Sequence, residues 1–286
     1  MNIKYFCLLF LYQLLLTMAM AQSPVIGNKT DTVSIKSFSQ LADSLHKIPP
    51  EKKLLLALDQ LRFSPQGVNI TQIGVGYSLK AKRDHLILKF NSALSEHSYG
   101  AQLFSEYYHN ISKKDYINIL LAGSDGKFYP SFIGGFSNFF VPGKGWELSL
   151  GARVYAPKND ARSLVFPIGV SKQIDKHFFG YTLYAVEQKD QFNYTSNFNY
   201  RYYFKGNQFL SVNYSTGNRY NIFKPETVTD IPESRMKTQT FNVLFTSPIA
   251  QKWNLEIHFT FEQNKDPEGG QDFNIYLPGF ILSRKI

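Results

Sequence analysis

The stretch KWNLEIHFTFEQ, Lys252 to Gln263, alternates strictly between apolar and polar side chains. Successive side chains of an extended strand leave on opposite faces, so this period of two predicts a β-strand with one apolar face. In a soluble sandwich the apolar face would pack into a core. In an outer-membrane barrel it meets lipid, and the polar face lines the lumen. One strand does not distinguish these architectures, so the rest of the chain has to.

Residues 1–21 have the form of a secretory signal peptide. A single lysine precedes an apolar run, and Ala19-Met20-Ala21 supplies the small-x-small pattern that predicts cleavage after Ala21. Cys7, the only cysteine, lies inside this segment and does not follow a lipoprotein cleavage box. The mature chain is therefore predicted to contain no cysteine and no disulfide.

Residues 22–50 differ in composition from the remainder of the mature chain, and we predict a short periplasmic lead. Ile35, Phe38, Leu41 and Leu45 lie at helical spacing, and Pro49-Pro50 ends the pattern. A partly helical lead is favoured, with plain disorder as the alternative.

The composition of the chain after residue 21 excludes a helical inner-membrane protein. No apolar run there approaches the 18 or so residues that a spanning helix needs. The chain has 25 Phe and 18 Tyr, yet only 19% of its residues are charged and its mean hydropathy is negative. A barrel with one lipid-facing and one wet face is expected to have such a composition. The formal net charge of +9 suits contact with anionic lipid head groups or scattered loop charge.

From residue 71 to the C-terminus, thirteen segments of about ten residues alternate in hydrophobicity and are separated by turn residues. Single-chain bacterial barrels have even strand counts, so one more strand is expected. Extracellular loops are long and periplasmic turns short, which places the connection Asn218 to Lys237 outside and the turns FKGN and SPIAQK inside.

If inside turns and outside loops alternate along the whole chain, a strand that runs from the periplasmic side to the outside must precede residue 71. The candidate is KKLLLALDQLRF, Lys52 to Phe63, although its residues favour a helix. We therefore predict an all-β, antiparallel transmembrane β-barrel over residues 52–286, of about 14 strands, with 12 as the alternative. Aromatic residues at segment ends, Tyr107 to His109, Asn138 to Phe140, Tyr200 to Phe204 and Trp253, are predicted to form interface girdles.

Two stretches resemble the YaiO-type outer-membrane β-barrel family. They are DYINILLAGSDGKFYPSFIGGFSNFFVPGKGWELSLGARVY, from Asp115, and NYRYYFKGNQFLSVNYSTGN, from Asn199. The resemblance covers residues 52–286 and implies a barrel in the outer membrane of a diderm bacterium. It implies no catalytic motif. Some relatives carry helical repeats before the barrel, for which residues 22–50 leave no room, and some barrels of this kind serve polysaccharide export. Ile286 stands where an aromatic terminal residue is usual.

No catalytic, cofactor-binding or metal site is predicted, and no cofactor or nucleic-acid partner. The six histidines show no i,i+4 pair, no H-E-x-x-H motif and no cysteine partner. The partners expected are outer-membrane lipids, the barrel-assembly machinery through the C-terminal strand and, as an option only, polysaccharide-export proteins.

Charged residues on the polar faces of the strands are the feature that stands out. Alternation predicts that six of them line the lumen: Glu147, Arg153, Arg201, Glu256, His258 and Glu262. They indicate either a polar pore with ligand contacts or an internal salt-bridge network that fills a narrow barrel, since buried charges must be paired.

The function predicted is therefore a non-enzymatic outer-membrane barrel that is a pore, an export accessory or a structural element. One alternative is a barrel-embedded lipid hydrolase using a Ser-His arrangement. His258 is expected to face the lumen, and no serine has a recognisable context beside a histidine. The other alternative is a soluble, exported, sugar-binding β-sandwich.

Overall fold

The computed structural model describes residues 50–64, 67–96, 98–158, 162–188, 191–205, 208–218, 237–265 and 272–286. The predicted signal peptide and nearly all of the predicted lead lie outside these residues, as do residues 219–236 of the longest connection. Within the described ranges, no helix is long and apolar enough to cross a membrane.

Fourteen antiparallel strands close into one barrel. Each strand pairs with its neighbours in sequence, and β1 pairs with β14 to close the sheet. The prediction of a 14-strand antiparallel barrel is confirmed, and the alternatives of 12 strands and of a soluble sandwich are wrong. The strands are β1 (Glu51–Ser64), β2 (Asn69–Ala81), β3 (Asp84–Leu94), β4 (Tyr99–Asn110), β5 (Asp115–Ser124), β6 (Phe132–Gly143), β7 (Trp146–Ala156), β8 (Ser163–Ile174), β9 (His177–Gln188), β10 (Gln191–Tyr203), β11 (Phe209–Asn218), β12 (Lys237–Ala250), β13 (Trp253–Lys265) and β14 (Phe273–Lys285).

Strand β1 forms despite a sequence rich in good helix formers. Leu54 pairs with Tyr77 on β2 and with Arg284 on β14, so β1 is hydrogen-bonded on both sides. Without it, β2 and β14 would each present an unpaired edge inside the bilayer, where every unsatisfied backbone group is costly. Barrel closure therefore overrides helix propensity in this segment, as the parity of the strand count predicted.

The two ends of the barrel differ in their connections. Lys82-Arg83, Lys144-Gly145, Asp175-Lys176 and Gln251-Lys252 form two-residue turns at one end, which we call the turn end. Lys144 and Asp175 have φ values of 51° and 48°, the left-handed conformation that tight hairpin turns require. The start of β1 and the end of β14 are also here, because the Ile286 amide donates to the Lys52 carbonyl at 3.1 Å. The opposite end, which we call the loop end, includes the connection from Asn218 to Lys237.

The exterior of the barrel is apolar and carries aromatic residues near both ends. Exposed aromatic side chains near the loop end are Tyr99, Phe132, Phe192 and Tyr194, and those near the turn end are Phe140, Trp146, Phe179 and Trp253. Amphipathic rings at both margins of an apolar band are typical of a barrel that spans a membrane.

The predicted girdle clusters are correct only in part, because the strand period of two divides each of them between the two faces. Phe140 is exposed outside, whereas its neighbour Phe139 faces inward and stacks on Tyr116 at 4.4 Å between ring centres. Tyr108 likewise faces inward and donates to Glu106 Oε1 at 2.7 Å. Tyr203 also lies inside, where it accepts from Arg201 at 3.1 Å.

Candidate functional site: the barrel interior

Strands β10 to β13 carry amides and hydroxyls on the face opposite their exposed aromatic side chains. We call this surface the amide wall, and it lies toward the loop end. Phe198, Tyr214 and Phe241 are exposed on the exterior of the same strands. The amide wall consists of Asn193, Thr195, Asn197, Asn199, Ser211, Asn213, Ser215, Thr238, Thr240, Asn242, Thr260, Glu262 and Asn264.

One row of the amide wall runs across all four strands. Asn199 pairs with Asn213, Asn213 with Asn242, and Asn242 with Thr260 in the strand register. Asn199 Nδ2 donates to Asn213 Oδ1. Asn213 Nδ2 donates to Asn242 Oδ1 at 3.1 Å, and Asn242 Nδ2 donates to Thr260 Oγ1 at 2.7 Å. Directly opposed residues have Cβ atoms about 5 Å apart, so short amides on neighbouring strands reach one another.

Further side-chain hydrogen bonds flank this row on both sides. Asn197 Nδ2 donates to Ser215 Oγ at 2.6 Å, and Asn199 Nδ2 also donates to Ser211 Oγ at 3.1 Å. Toward the loop end, Thr238 Oγ1 donates to Asn264 Oδ1 at 2.8 Å. Asn264 Nδ2 in turn donates to Glu262 Oε1 at 2.9 Å, so the one charged member of the wall is held by an amide.

Two groups of buried apolar residues lie toward the loop end on the interior of the other strands. We call the first group of buried residues the plug cluster: Leu61, Phe63, Ile70, Ala93, Phe128, Phe273 and Ile275. Six of these belong to β14, β1, β2 and β3, whereas Phe128 comes from the connection between β5 and β6. Phe128 is only 1% exposed. A Cβ at Gly100 on β4 would lie 2.6 Å from Phe128 Cδ2, so glycine at that position leaves room for the ring.

The connection that carries Phe128 is tied to the barrel by hydrogen bonds. Ser124 Oγ donates to the Pro130 carbonyl at 2.8 Å, and the Ala101 amide donates to Asp125 Oδ2 at 3.3 Å. Burial raises the pKa of the Tyr129 hydroxyl, and the carboxylates of Asp59 and Asp125 raise it further. The connection thus folds inward, against the interior of β1, and does not extend away from the barrel.

A second apolar cluster continues the plug cluster around the barrel. Its buried members are Ala122, Ile133, Tyr155, Val165 and Val186, with Phe104, Leu120 and Tyr184 packed against them. Together the two clusters occupy the inner faces of β14 and β1 to β9, and the amide wall occupies β10 to β13. The interior near the loop end is therefore amphipathic: the two clusters form an apolar arc, which faces the polar amide wall.

The six charged residues predicted from the sequence do not form one cluster. Glu256, His258 and Arg201 share a region toward the turn end, where the cations of Lys89, Lys53 and Arg201 act on the Glu256 carboxylate. His258 Nε2 lies 2.8 Å from Asp59 Oδ1.

Arg201 lies among aromatic rings on the interior face. Its guanidinium carbon is 4.6 Å from the centre of the Phe209 ring, 5.5 Å from that of Phe178 and 5.8 Å from that of Tyr203. Desolvated cations attract ring faces, and these contacts hold the Arg201 guanidinium in place.

The remaining members are spread over other strands. Glu147 accepts from the Tyr116 hydroxyl at 2.8 Å, and Glu262 belongs to the amide wall. Arg153 pairs with Gly135, where a Cβ would lie 2.9 Å from Arg153 Cγ, so the glycine accommodates the arginine stem. A role for the six residues in contacting a solute stays a prediction.

Two interior residues were missed by the sequence reasoning. Asp59 was missed because its contact with His258 crosses β14 and requires the barrel to close. Ser78 was missed although its hydroxyl lies 2.9 Å from His85 Nε2, which corrects the expectation that no serine stands beside a histidine. Lys80 pairs with His85 across the tight β2–β3 turn, so this register places Ser78 and His85 on one face.

The Ser78–His85 contact lacks the other parts of a hydrolase site. Ser78 is 7% exposed and lies on the interior face, away from membrane lipid. Glu106, a carboxylate that acts on His85, accepts instead from Tyr108 and Asn118, at 2.7 and 3.1 Å. A nucleophile needs a base that is itself oriented by a third group. Among the residues that the structure describes, no three His, Cys, Asp or Glu side chains are grouped to hold a metal ion.

A closed antiparallel barrel with an apolar, aromatic-bordered exterior defines the class of outer-membrane β-barrel proteins. The YaiO membrane beta barrel domain matches residues 51–220, which span β1 to β11. The chain belongs to this family, as the resemblance predicted, and lies in the outer membrane.

Comparison with curated proteins gives no match. Among solved structures, a bacterial polysaccharide outer membrane secretin is 7% identical with a TM-score of 0.49, covering 83% of this chain and 98% of that one. Pseudomonas aeruginosa OprD is 9% identical with a TM-score of 0.45, covering 83% and 95%. Pseudomonas aeruginosa OccK5 (OpdH) is 8% identical with a TM-score of 0.43, covering 83% and 98%. The family assignment rests on the domain match alone.

Proposed function

We propose that this barrel is a non-enzymatic, solute-selective pore of the outer membrane, narrowed at its loop end by Phe128. The observation that supports it is the division of the interior into an apolar arc and the amide wall. A barrel that served only as a scaffold would have no need of a continuous polar surface on one side of its interior.

The partial exposure of the amide wall favours a lumen that conducts solutes over a lumen packed with side chains. Asn199, Asn213, Asn242 and Thr260 are each only partly buried. Buried polar groups in a packed interior are fully paired and closed off from water. Partly exposed amides on an inner face are instead accessible to water and to a solute in the lumen.

Phe128 supplies the narrowing. Its ring projects from the β5–β6 connection onto the inner faces of β1 to β4, and hydrogen bonds hold this connection in place. A packed apolar cluster that fills part of the lumen limits both ion flow and the size of a solute. We therefore expect low conductance and a strong dependence of conductance on this side chain.

A structural barrel is the second candidate, and the paired charges favour it. The contacts of His258 with Asp59 and of Glu147 with Tyr116 are those expected of an interior that stabilises itself. In this case Phe128 would act as a plug that never opens.

Planar-bilayer recordings on refolded protein separate the two candidates. We expect small, stable conductance steps from the wild type and steps several-fold larger from Phe128→Ala. The matched control is Phe136→Ala, which removes an exposed ring from the exterior and should leave conductance unchanged. Absence of conductance from both the wild type and Phe128→Ala, in preparations with the heat-modifiable gel mobility of folded barrels, would reject the pore and favour the structural barrel.

Partners are proposed from the location of the barrel. Outer-membrane lipid surrounds it, and recognition of β14 by the barrel-assembly machinery is part of the proposal. A polysaccharide-export partner also stays a proposal, and the amide wall is the surface proposed to contact a polysaccharide.

A further inference from the structure

We infer that the amide wall is a binding site for a neutral, hydroxyl-rich ligand, namely a carbohydrate chain. This deepens the proposed function, on whose accessible lumen it rests. It is carried by the hydrogen-bonding capacity that remains in the row from Asn199 to Thr260, by the absence of formal charge in that row, and by the apolar arc that completes the lumen.

The row uses only part of its hydrogen-bonding capacity. An asparagine amide has two N–H donors and an oxygen with two lone pairs. Asn213 donates once, to Asn242, and accepts once, from Asn199. Asn242 likewise donates once, to Thr260, and accepts once, from Asn213. Each of these two amides therefore retains capacity for one further donated and one further accepted hydrogen bond.

The two ends of the row differ from each other in the capacity that remains. Asn199 donates to both Ser211 and Asn213, and its buried Oδ1 has no hydrogen-bond partner among the described residues. Because this oxygen is buried, Asn199 offers no acceptor to the lumen, and the remaining capacity of the row lies at Asn213, Asn242 and Thr260. At the other end, Thr260 Oγ1 accepts from Asn242, and its hydroxyl proton remains available for donation.

This pattern selects for hydroxyl groups. A hydroxyl both donates and accepts, so successive hydroxyls match a row of groups that offer both capacities. A carboxylate or a phosphate only accepts and would leave the oxygen of each amide unused, whereas an ammonium group only donates. The row itself contains no charged residue, whereas Arg201 and Glu262 lie on the same inward faces, two residues beyond its two ends.

The opposite side of the lumen suits the rest of a sugar ring. Phe104, Leu120 and Tyr184 are partly buried and face inward from the second apolar cluster. Sites for small polar ligands combine a largely apolar and aromatic lining with a few placed hydrogen-bonding groups. A pyranose ring has hydroxyls at its edge and C–H groups on its faces, so its edge suits the amide wall and its faces suit aromatic and aliphatic side chains.

The dimensions favour a chain over a single sugar. Along β10 the inward residues run from Asn193 to Asn199, which spans roughly 20 Å at the rise of a strand. The cross-strand row from Asn199 to Thr260 covers four strands, which adds roughly 14 Å at the usual strand spacing. Several linked rings are needed to cover such a surface.

Equilibrium binding to the full mature chain, refolded in detergent micelles, tests the inference. Maltohexaose, cellohexaose and chitohexaose serve as neutral probes and hexagalacturonate as the anionic comparator, with heat measured by titration calorimetry. We expect saturable binding of at least one neutral probe and weaker binding of hexagalacturonate. We expect affinity to fall about tenfold or more in Asn213→Leu/Asn242→Leu, since about 1.4 kcal/mol of lost hydrogen bonding corresponds to that factor.

Two further variants keep the test interpretable. Asn242→Asp keeps a polar side chain but removes the amide donors, so it should fold and should also lose affinity for the neutral probe. Asn138→Leu is the matched control, because Asn138 lies on the exterior face and pairs with the exposed Leu150. Its affinity should stay within about twofold of the wild type, a difference of less than about 0.5 kcal/mol.

Each possible outcome either supports the inferred carbohydrate site or overturns it. The inference is overturned by absence of saturable binding of all three neutral probes, by unchanged affinity in both Asn242 variants, or by preferential binding of hexagalacturonate. Conductance without sugar binding would leave the pore standing and reject the ligand class. Sugar binding without conductance in either the wild type or Phe128→Ala would support the binding site and reject the pore.

Discussion

Asp59 on β1 and His258 on β13 meet over the backbone of Gly279 on β14. Gly279 pairs with Asp59 on one side and with His258 on the other, so the three residues lie in one register across three strands. His258 Nε2 and Asp59 Oδ1 are 2.8 Å apart, and the two side chains are 14% and 22% exposed. A Cβ at Gly279 would overlap Asp59 Oδ1 and would lie 2.5 Å from His258 Nε2. The contact therefore depends on glycine at this position, and it joins the two strands that flank β14 at the closure of the barrel.

Gly279→Ala should destabilise the barrel by roughly 1–3 kcal/mol, because the added methyl group displaces both partners of the contact. The measurement is urea-induced unfolding of protein refolded into lipid vesicles. Gly123→Ala is the matched control, since a Cβ at that exposed strand position meets nothing within 4 Å. Equal stability of the two variants would contradict the structural role assigned to Gly279.

Thirteen of the strands and the two faces of each could be predicted from local sequence, because alternation is a property of adjacent residues. The segment from Lys52 to Phe63 shows the limit of local rules. Its composition favours a helix, and only the even strand count of barrels predicted that it forms the strand β1. The girdle prediction failed for Tyr108 and Phe139 since adjacent aromatic residues in a strand point to opposite sides.

The candidate site was harder to predict, because it depends on register between strands that are distant in sequence. Asn199 and Asn242 belong to one row only because each pairs with Asn213. Phe128 was not predicted to enter the interior, since its position depends on how a connection folds back over the barrel end. Charged residues on a strand can be recognised from the sequence, whereas a row of neutral amides across several strands has no local signature.

Neither the purified wild type nor Ser78→Ala should hydrolyse phospholipid or lipid A. The reason is that the Ser78–His85 contact is enclosed in the barrel and lacks an oriented third group. Release of fatty acid is the measurement, with His85→Ala assayed beside it. Fatty-acid release by the wild type that disappears in both variants would restore the hydrolase alternative.

The connection from Asn218 to Lys237 is predicted to be extracellular, because it joins β11 and β12 at the end opposite the short turns. Protease added to intact cells should cleave within it and leave the turn at Lys144-Gly145 uncut. The fragments can be identified by mass spectrometry. Cleavage of this connection only after the outer membrane has been permeabilised would show that the orientation is inverted.

Ile257 and His258 are adjacent on β13 and test whether that strand spans a membrane. Ile257 pairs with the exposed Phe280 on the exterior, whereas His258 contacts Asp59 in the interior. Ile257→Arg should cost roughly 2–4 kcal/mol in urea unfolding from lipid vesicles, the range for a cation on the lipid face near the bilayer midplane. His258→Arg should cost much less, because it places a cation beside Asp59 on a polar surface. A fluorescent label at position 257 should be strongly quenched by quenchers attached to lipid tails, and one at position 258 only weakly, since the pleat sends the two to opposite sides. Equal quenching at the two positions would show that β13 does not separate lipid from lumen.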